Sequence, residues 1–359
     1  MSRTPVVMIT GVADEPMSRT TMGLQWDLPS AVVVQHRIDA VQQVLTRTVS
    51  DISGVVEREE IDLEHACVSC AIREDIVPSL ERLAASGRWG SVIAHLPVTA
   101  EATQVCRLIA WNPDLAPHVT IAGVVTAFDA QNVVDDLLGD DLVADRGLST
   151  SEDDSRGVAE IAAAMVEYGD VVALLGQPDE PARDLVRTIA RPGTGIVEDA
   201  SLMDAARIVD GIHEHRTTEH WVAEVRRGEL PVVESSCVWR LDLHSDRPFH
   251  PGRLHEHIER IGGGPRRSRG CFWLPSRPGD VCVWDGAGGQ LSIGSDRRWE
   301  RSPQMTRIVV VGLDDGAEEI REVFDHCLLS EPELAGRGPF WEVSHDGLEP
   351  WLGDIRRAA

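Results

Sequence analysis

The sequence predicts an α/β protein in which a doubly wound parallel sheet is followed by a smaller α+β domain. In the first part of the chain, short apolar runs alternate with helical patterns long enough to cross over a sheet. A parallel sheet covered by helices on both faces requires such continuous apolar strands. After about residue 231, strand-like runs are separated by turns rich in Gly, Pro and Asp, a pattern typical of an antiparallel sheet.

The first domain is predicted to span residues 1–205. Its strands are 6–10, 31–34, 91–94, 119–125 and 171–175, and its helices are 75–86, 100–111 and 158–167. The polar segment 11–18 is predicted as a loop between the first strand and a helix that begins near Arg19.

Residues 206–231 are predicted as a linker with a His cluster, and residues 232–359 as the second domain. The cluster consists of His213, His215 and His220, which would suit a borderline metal; solvated linker histidines are the alternative. In the second domain the predicted strands are 232–243, 270–274, 280–284, 290–293 and 306–311, and the predicted helices are 252–261 and 317–327.

Composition excludes several kinds of chemistry. All 34 basic residues of this 359-residue chain are Arg, and 59 Asp and Glu give a formal net charge of -25. Schiff-base catalysis and a phosphate-binding Lys are therefore excluded. The acidic bulk repels nucleic acid, so sequence-specific DNA binding is not expected. Without a targeting leader or an apolar run of about 18 residues, we expect a cytoplasmic protein without membrane contact.

One segment departs from the acidic balance. Residues 240–301 hold 11 Arg against 8 acids, an excess of about three positive charges. Some of these guanidinium groups are predicted to lie on a helix and a Gly-rich loop, within reach of phosphates or acidic surfaces of a partner. The candidate partner-binding residues are Arg253, Arg260, Arg266, Arg267 and Arg269. Solvated arginines on a small domain are the alternative.

The segment after the first strand has the place of a phosphate-binding loop but few of its residues. Such a loop needs Gly-x4-Gly-Lys-Ser/Thr, in which backbone N–H groups surround the phosphates and the hydroxyl ligates magnesium. Gly11, Arg19, Thr20 and Thr21 are the candidates here, and the second glycine and the lysine are missing. An ordinary connection between a strand and a helix is the alternative.

Cys67 and Cys70 form the clearest metal-ligand pattern. Two thiolates three residues apart can hold one zinc ion, and His65 or Glu64 could complete the site. A redox pair and two buried structural thiols are the alternatives. The seven Cys are odd in number and widely spaced, so structural disulfides are not expected.

Five segments of the sequence resemble the CobW family of P-loop GTPases, whose members are linked to cobalamin assembly and zinc trafficking. They are 65–76, 123–130, 167–175, 247–254 and 269–274, and the last two resemble the family's C-terminal domain. The resemblance covers nearly the whole chain. It implies a P-loop NTPase-like first domain, a CobW-type second domain, and zinc held by Cys67, Cys70 and His65.

The sequence departs from this family at both its metal and its nucleotide motifs. Ser69 replaces the middle cysteine of Cys-x-Cys-Cys, residues 95–99 replace the acidic magnesium motif, and only Asp179 remains of the guanine motif. Phosphoryl transfer depends on magnesium and cations around the phosphates. We therefore expect no catalytic residue and no GTP cofactor. The expected vestigial nucleotide site consists of Gly11, Arg19, Thr20, Thr21 and Asp179.

Within the family, this Arg-only sequence most resembles mycobacterial members, which act in zinc starvation and recruit a hibernation protein to ribosomes. This resemblance implies a non-catalytic adaptor in zinc homeostasis. Its implied partners are the small ribosomal subunit and a hibernation-promoting protein. The alternative is a zinc metallochaperone coupled to GTP binding or hydrolysis, and nucleotide binding discriminates between the two.

Overall fold

The computed structural model describes residues 3–63, 67–150 and 154–355. The chain divides into two units. The first comprises Met1–Asp136 and Asp141–Val222, and the second comprises Leu137–Asp140 and Ala223–Ala359. The division near residue 222 falls inside the segment predicted as a linker, and residues 206–222 of that segment are largely helical and belong to the first unit.

The first unit contains an eight-stranded mixed sheet. Its strands are β1 (Thr4–Gly11), β2 (Ala31–Asp39), β3 (Val44–Asp51), β4 (Gly54–Asp62), β5 (Ser91–His95), β6 (Val119–Asp129), β7 (Val171–Leu175) and β8 (Gly195–Val197). Their spatial order is β4-β3-β2-β5-β1-β6-β7-β8. Pairing is parallel from β2 to β8 and antiparallel between β2 and β3 and between β3 and β4.

Helices cover both faces of this sheet, which makes it doubly wound. They are α1 (Asp14–Asp27), α2 (Val68–Ala71), α3 (Val77–Ala85), α4 (Ala102–Trp111), α5 (Val133–Leu138), α6 (Val158–Tyr168), α7 (Glu180–Ile189), α8 (Ala205–Gly211) and α9 (His215–Val222). A π-helix, Ile72–Ile76, joins α2 to α3. Successive residues of β1 enter different cores, because Val6 packs with α3 and α4 whereas Val7 packs with α1 and α8.

The second unit contains a five-stranded antiparallel sheet. Its elements are β9 (Trp239–Ser245), α10 (Pro251–Gly262), β10 (Arg266–Phe272), β11 (Asp280–Ala287), β12 (Gln290–Arg298), β13 (Thr306–Gly312), α11 (Ala317–Cys327), α12 (Glu331–Arg337) and α13 (Glu349–Leu352). The strand order is β12-β11-β10-β13-β9. Gly270 on β10 is required by close packing, since a side chain there would collide with the carbonyl oxygen of Arg307 on β13.

The structure confirms the predicted fold class and most of the predicted elements. It adds the hairpin of β3 and β4, which the sequence analysis missed. The predicted loop 11–18 is wrong, because β1 continues to Gly11 and α1 already begins at Asp14. Among the residues described, no helix is long and apolar enough to cross a membrane.

Candidate functional site

The connection between β1 and α1 is too short to be a phosphate-binding loop. Only Val12 and Ala13 separate Gly11 from Asp14. A Cβ atom on Gly11 would lie 2.6 Å from the carbonyl oxygen of Ala127, so the strand end is closely packed. A glycine-rich loop whose N–H groups surround phosphates has no room in this connection.

The protein's own carboxylates occupy the positive end of α1. Asp14 and Glu15 lie in its first turn, where the helix dipole favours negative charge. Arg37 on β2 donates two hydrogen bonds to Asp14, at 2.9 and 3.0 Å, and Arg19 forms an exposed ion pair with Glu15. A phosphate at this helix end would therefore meet two carboxylates rather than a lysine.

Thr21 on α1 pairs with His95, the first residue of the segment that replaces the acidic magnesium motif. Thr21 Oγ1 lies 2.9 Å from His95 Nδ1, and both side chains are buried. The Thr21 hydroxyl donates its only proton to the Met17 carbonyl oxygen, so it can only accept from His95, and the ring proton of His95 is on Nδ1. The other ring nitrogen, Nε2, accepts a hydrogen bond from Gln35 at 3.4 Å. Burial lowers the pKa of His95 to about 4, although the charge of Asp14 opposes this.

The remaining nucleotide-site candidates lie on α1 and at the start of α7. Thr20 is completely buried, and its hydroxyl has no hydrogen-bond partner among the described residues. Asp179 caps α7 by accepting a hydrogen bond from the Ala182 N–H at 2.9 Å. The structure thus places Gly11, Arg19, Thr20 and Thr21 on β1 and α1, but it provides no phosphate cradle between them. The β1–α1 connection therefore lacks the glycine-rich loop and the lysine on which a phosphate-binding loop depends.

Cys67 and Cys70 lie together at the start of α2. Their sulfur atoms are 2.8 Å apart and share a hydrogen bond, and the Cys70 N–H donates to Cys67 Sγ at 3.2 Å. Both thiols are free and partly exposed. The hydrogen bond with Cys67, followed by burial, raises the pKa of Cys70 to about 11. Because the two sulfur atoms are adjacent, one metal ion can bind both of them, and its binding releases the thiol protons.

The thiol pair fits zinc as two of its ligands. Tetrahedral zinc with sulfur ligands at about 2.3 Å holds two sulfurs about 3.8 Å apart, so this pair has to open by about 1 Å. Rotation of two partly exposed side chains allows such a change. Glu64 and His65, the other candidate ligands, lie outside the described residues. Within residues 3–63, 67–150 and 154–355, no group of three or more His, Cys, Asp or Glu could hold a metal ion.

A buried ion-pair cluster anchors the segment that follows the thiol pair. Asp75, in the π-helix, accepts a hydrogen bond from His36 Nε2 at 2.8 Å and is paired with Arg47. Arg47 also pairs with Glu57 on β4 at 2.8 Å. Burial by itself would raise the pKa of Asp75, but the bond from His36 and the charge of Arg47 outweigh it, so this pKa is lowered. The cluster ties the Cys-containing segment to β2, β3 and β4.

Sequence reasoning missed this cluster, although one signal was visible. Arg47 sits between Leu45 and Val49, at a position whose strand face is otherwise apolar. All three residues are buried in the structure. A buried Arg requires a buried carboxylate, which was the available hint that a charged partner such as Asp75 lies beneath the hairpin.

The predicted His cluster does not assemble as a metal site in the described part of the chain. Nδ1 of His213 lies 2.9 Å from a carboxylate oxygen of Asp170, and Nδ1 of His215 lies 3.1 Å from the Tyr168 hydroxyl. His213 and His215 are therefore engaged with neighbouring side chains of the first unit, and His220 joins neither pair.

The five candidate partner-binding arginines form ion pairs within the second unit. The pairs are Arg253 with Glu333, Arg260 with Glu319, Arg266 with Asp314, Arg267 with Asp285, and Arg269 with Glu224. The predicted placement of Arg266, Arg267 and Arg269 on a Gly-rich loop is wrong, because all three lie on β10. Arg267 is only 3 % exposed. These side chains do not form a free basic surface.

Comparison with known families identifies the class of protein. Residues 34–178 match the model described as CobW/HypB/UreG, nucleotide-binding domain, and residues 238–328 match the cobalamin synthesis protein CobW C-terminal domain. The two matches fall in the first and second units and together span well over half of the chain. The protein belongs to the CobW family, which confirms the resemblance seen in the sequence.

Three relatives with related sequences are named for zinc. The zinc chaperone Rv0106 of Mycobacterium tuberculosis is 29% identical over 326 residues, which cover 87% of this chain and 78% of the relative. The zinc-regulated GTPase metalloprotein activator 1 of Dictyostelium discoideum is 23% identical over 258 residues, 67% of this chain and 54% of the relative. The zinc chaperone CobW of Sinorhizobium sp is 22% identical over 293 residues, covering 72% and 77%.

Among solved structures, the Zn(II)-bound YjiA GTPase from E. coli is similar. It is 16% identical to this chain, with a TM-score of 0.34, and the alignment covers 91% of this chain and 99% of the YjiA chain.

Proposed function

We propose that this protein is a zinc-handling adaptor of zinc homeostasis that binds zinc through Cys67 and Cys70 and does not hydrolyse a nucleotide. The observation that carries the proposal is the pair of free, partly exposed sulfurs 2.8 Å apart. Two thiolates leave two positions of a tetrahedral zinc ion for other ligands. A site with two thiolate ligands suits zinc as cargo, because a partner can supply further ligands during exchange. The zinc chaperones among the relatives support this proposal.

The absence of nucleotide turnover is supported by the β1–α1 connection. The chain has no Lys, carboxylates occupy the positive end of α1, and neutral His95 fills the magnesium side. Catalysis of phosphoryl transfer requires cations and magnesium at these places. The second candidate function, a zinc metallochaperone coupled to GTP, is favoured by the match of residues 34–178 to a nucleotide-binding domain.

The small ribosomal subunit and a hibernation-promoting protein stay predicted partners, and a cytoplasmic location stays a prediction. Because the five arginines already form ion pairs, we expect a ribosome contact to use another surface of the protein. Ribosome co-sedimentation of the full chain, with and without zinc, tests this partner directly.

Zinc content tests the proposed site. Protein purified without chelator should carry about one zinc per chain, and the double substitution Cys67→Ser and Cys70→Ser should remove it, since both anionic donors are lost. Cys237→Ser, which changes another partly exposed free thiol, is the matched control and should keep the metal. Unchanged zinc in the double variant would overturn the assignment to Cys67 and Cys70.

A further inference from the structure

Strand β4 is an exposed edge of the eight-stranded sheet. It stands at the end of the strand order and pairs with β3 on one side. Along Gly54–Asp62, seven residues are exposed and two, Glu57 and Ile61, are half-buried. An edge strand presents a row of backbone N–H and C=O groups to which another extended segment can pair. The exposure of both faces leaves room for the side chains of such a segment.

The edge is held in place by ion pairs on one face. Arg47 pairs with Glu57 at 2.8 Å and with Glu59, and Arg82 on α3 donates two hydrogen bonds of 3.0 Å to Glu57. These contacts fix β4 against β3 and α3. A preorganised strand loses little further conformational entropy when another strand adds to it.

The charges of β4 select the kind of segment that can pair with it. Besides Glu57 and Glu59, the strand carries Glu60 and Asp62, which form no ion pair with the residues described, and its sequence contains one cation, Arg58. Like charges directly opposite each other destabilise cross-strand pairs. Two β4 strands of separate copies therefore repel each other, whereas a basic segment is attracted.

The carboxyl end of β4 leads to the thiol pair. The Leu63 N–H donates to the Gln43 carbonyl oxygen at 3.0 Å, which fixes the chain at this end of the hairpin. Four residues further along is Cys67, at most about 14 Å away for an extended chain. A segment bound along β4 would therefore end close to Cys67 and Cys70.

We propose that β4 is a docking edge for an extended, basic segment of the zinc-exchange partner, which adds to the sheet as a further strand beside the thiol pair. This inference deepens the proposed function and rests on it for the nature of the partner. Backbone pairing supplies affinity, and the acidic side chains of β4 supply the preference for a basic sequence. The same acids could instead serve only to keep the edge from self-association, and the experiment separates these roles.

The probe is a fluorescein-labelled nine-residue peptide that alternates Arg with Val or Thr, titrated with the full chain and followed by fluorescence anisotropy. Two versions carry N-methyl groups on either its odd or its even residues. Strand addition uses the N–H groups of alternate residues only, so one version should bind at least about tenfold more weakly and the other about as well as the parent. Equal affinity of both versions, or no saturable binding of the parent, would overturn the proposal.

Charge reversal tests the edge itself. Glu60→Arg with Asp62→Arg should weaken peptide binding at least about tenfold, because attraction becomes repulsion. Glu318→Arg with Glu322→Arg, an equal charge change on exposed positions of α11, is the matched control and should leave binding within about twofold. Equal losses in the two variants would show attraction to the acidic protein as a whole and overturn the docking edge.

Cys67→Ser with Cys70→Ser separates this inference from the proposed function. Strand addition does not use the thiols, so the peptide should bind this variant as it binds the parent protein. If zinc content fails the earlier test while the methylated peptides still differ, the zinc role is wrong and the docking edge stands. If zinc is bound but the methylated peptides do not differ, the docking edge is wrong.

Discussion

Protonation of His95 should link pH to the stability of the first unit. Its buried, neutral ring has a pKa of about 4, against the ordinary 6.5 of an unfolded chain. Because the pKa of His95 is lower in the folded protein, the unfolded chain takes up the proton first as the pH falls. The stability that neutral His95 contributes is therefore complete above about pH 6.5 and is lost as the pH falls toward 4. This proton linkage lowers the free energy of unfolding by about 1 kcal/mol between pH 7 and 5.5, and by about 3 kcal/mol between pH 7 and 4.

The substitution His95→Asn isolates this effect. Asparagine cannot titrate but keeps an amide nitrogen that can donate to Thr21. Urea unfolding of the full chain, read by hydrogen exchange in peptides from β1 and β5, reports on the first unit. Other titrating groups, including His36 and Asp75, are common to both proteins, so their contributions cancel in the comparison. Between pH 7 and 5.5 the wild type should lose about 1 kcal/mol more than the variant; parallel profiles would refute the neutral, buried His95.

Four further substitutions test the packing that positions the site and the second unit. Asp75→Ala leaves Arg47 and His36 without their shared carboxylate and should destabilise the first unit by about 3 kcal/mol in the same urea assay. Gly270→Ala should cost on the order of 3 kcal/mol in the second unit, followed by tryptophan fluorescence, because its methyl group meets the backbone of β13. Arg267→Glu places a second carboxylate beside Asp285 and should abolish the near-ultraviolet circular dichroism of the second unit. The exposed control Arg260→Glu should lower the free energy of unfolding by less than about 1 kcal/mol. A stable Arg267→Glu protein would contradict the buried ion pair.

The fold was predictable where strands are buried on both faces. The apolar runs at 6–10, 91–94 and 171–175 match β1, β5 and β7 because helices cover both sides of these strands. The hairpin of β3 and β4 was missed because β4 buries almost nothing and so has no hydrophobic pattern. Local sequence cannot show that a polar strand is held at an edge by distant arginines.

The candidate site was predictable only in part. The spacing of Cys67 and Cys70 predicted neighbouring sulfurs, which the structure shows at 2.8 Å. The connection after Gly11 was predicted as a loop because its polar residues are common in turns, whereas Asp14 and Glu15 instead stabilise an earlier start of α1. The pairing of Thr21 with His95 depends on residues 74 positions apart, which no local pattern reveals.

The most direct test of the central claim is one zinc titration, with a chromophoric chelator as competitor, carried out with and without GTP and magnesium. We expect about one zinc per chain, bound through Cys67 and Cys70, with an affinity that does not change when nucleotide is added, because the β1–α1 connection lacks a phosphate-binding loop. A zinc affinity that shifts with GTP, or a protein that binds no zinc, would contradict it.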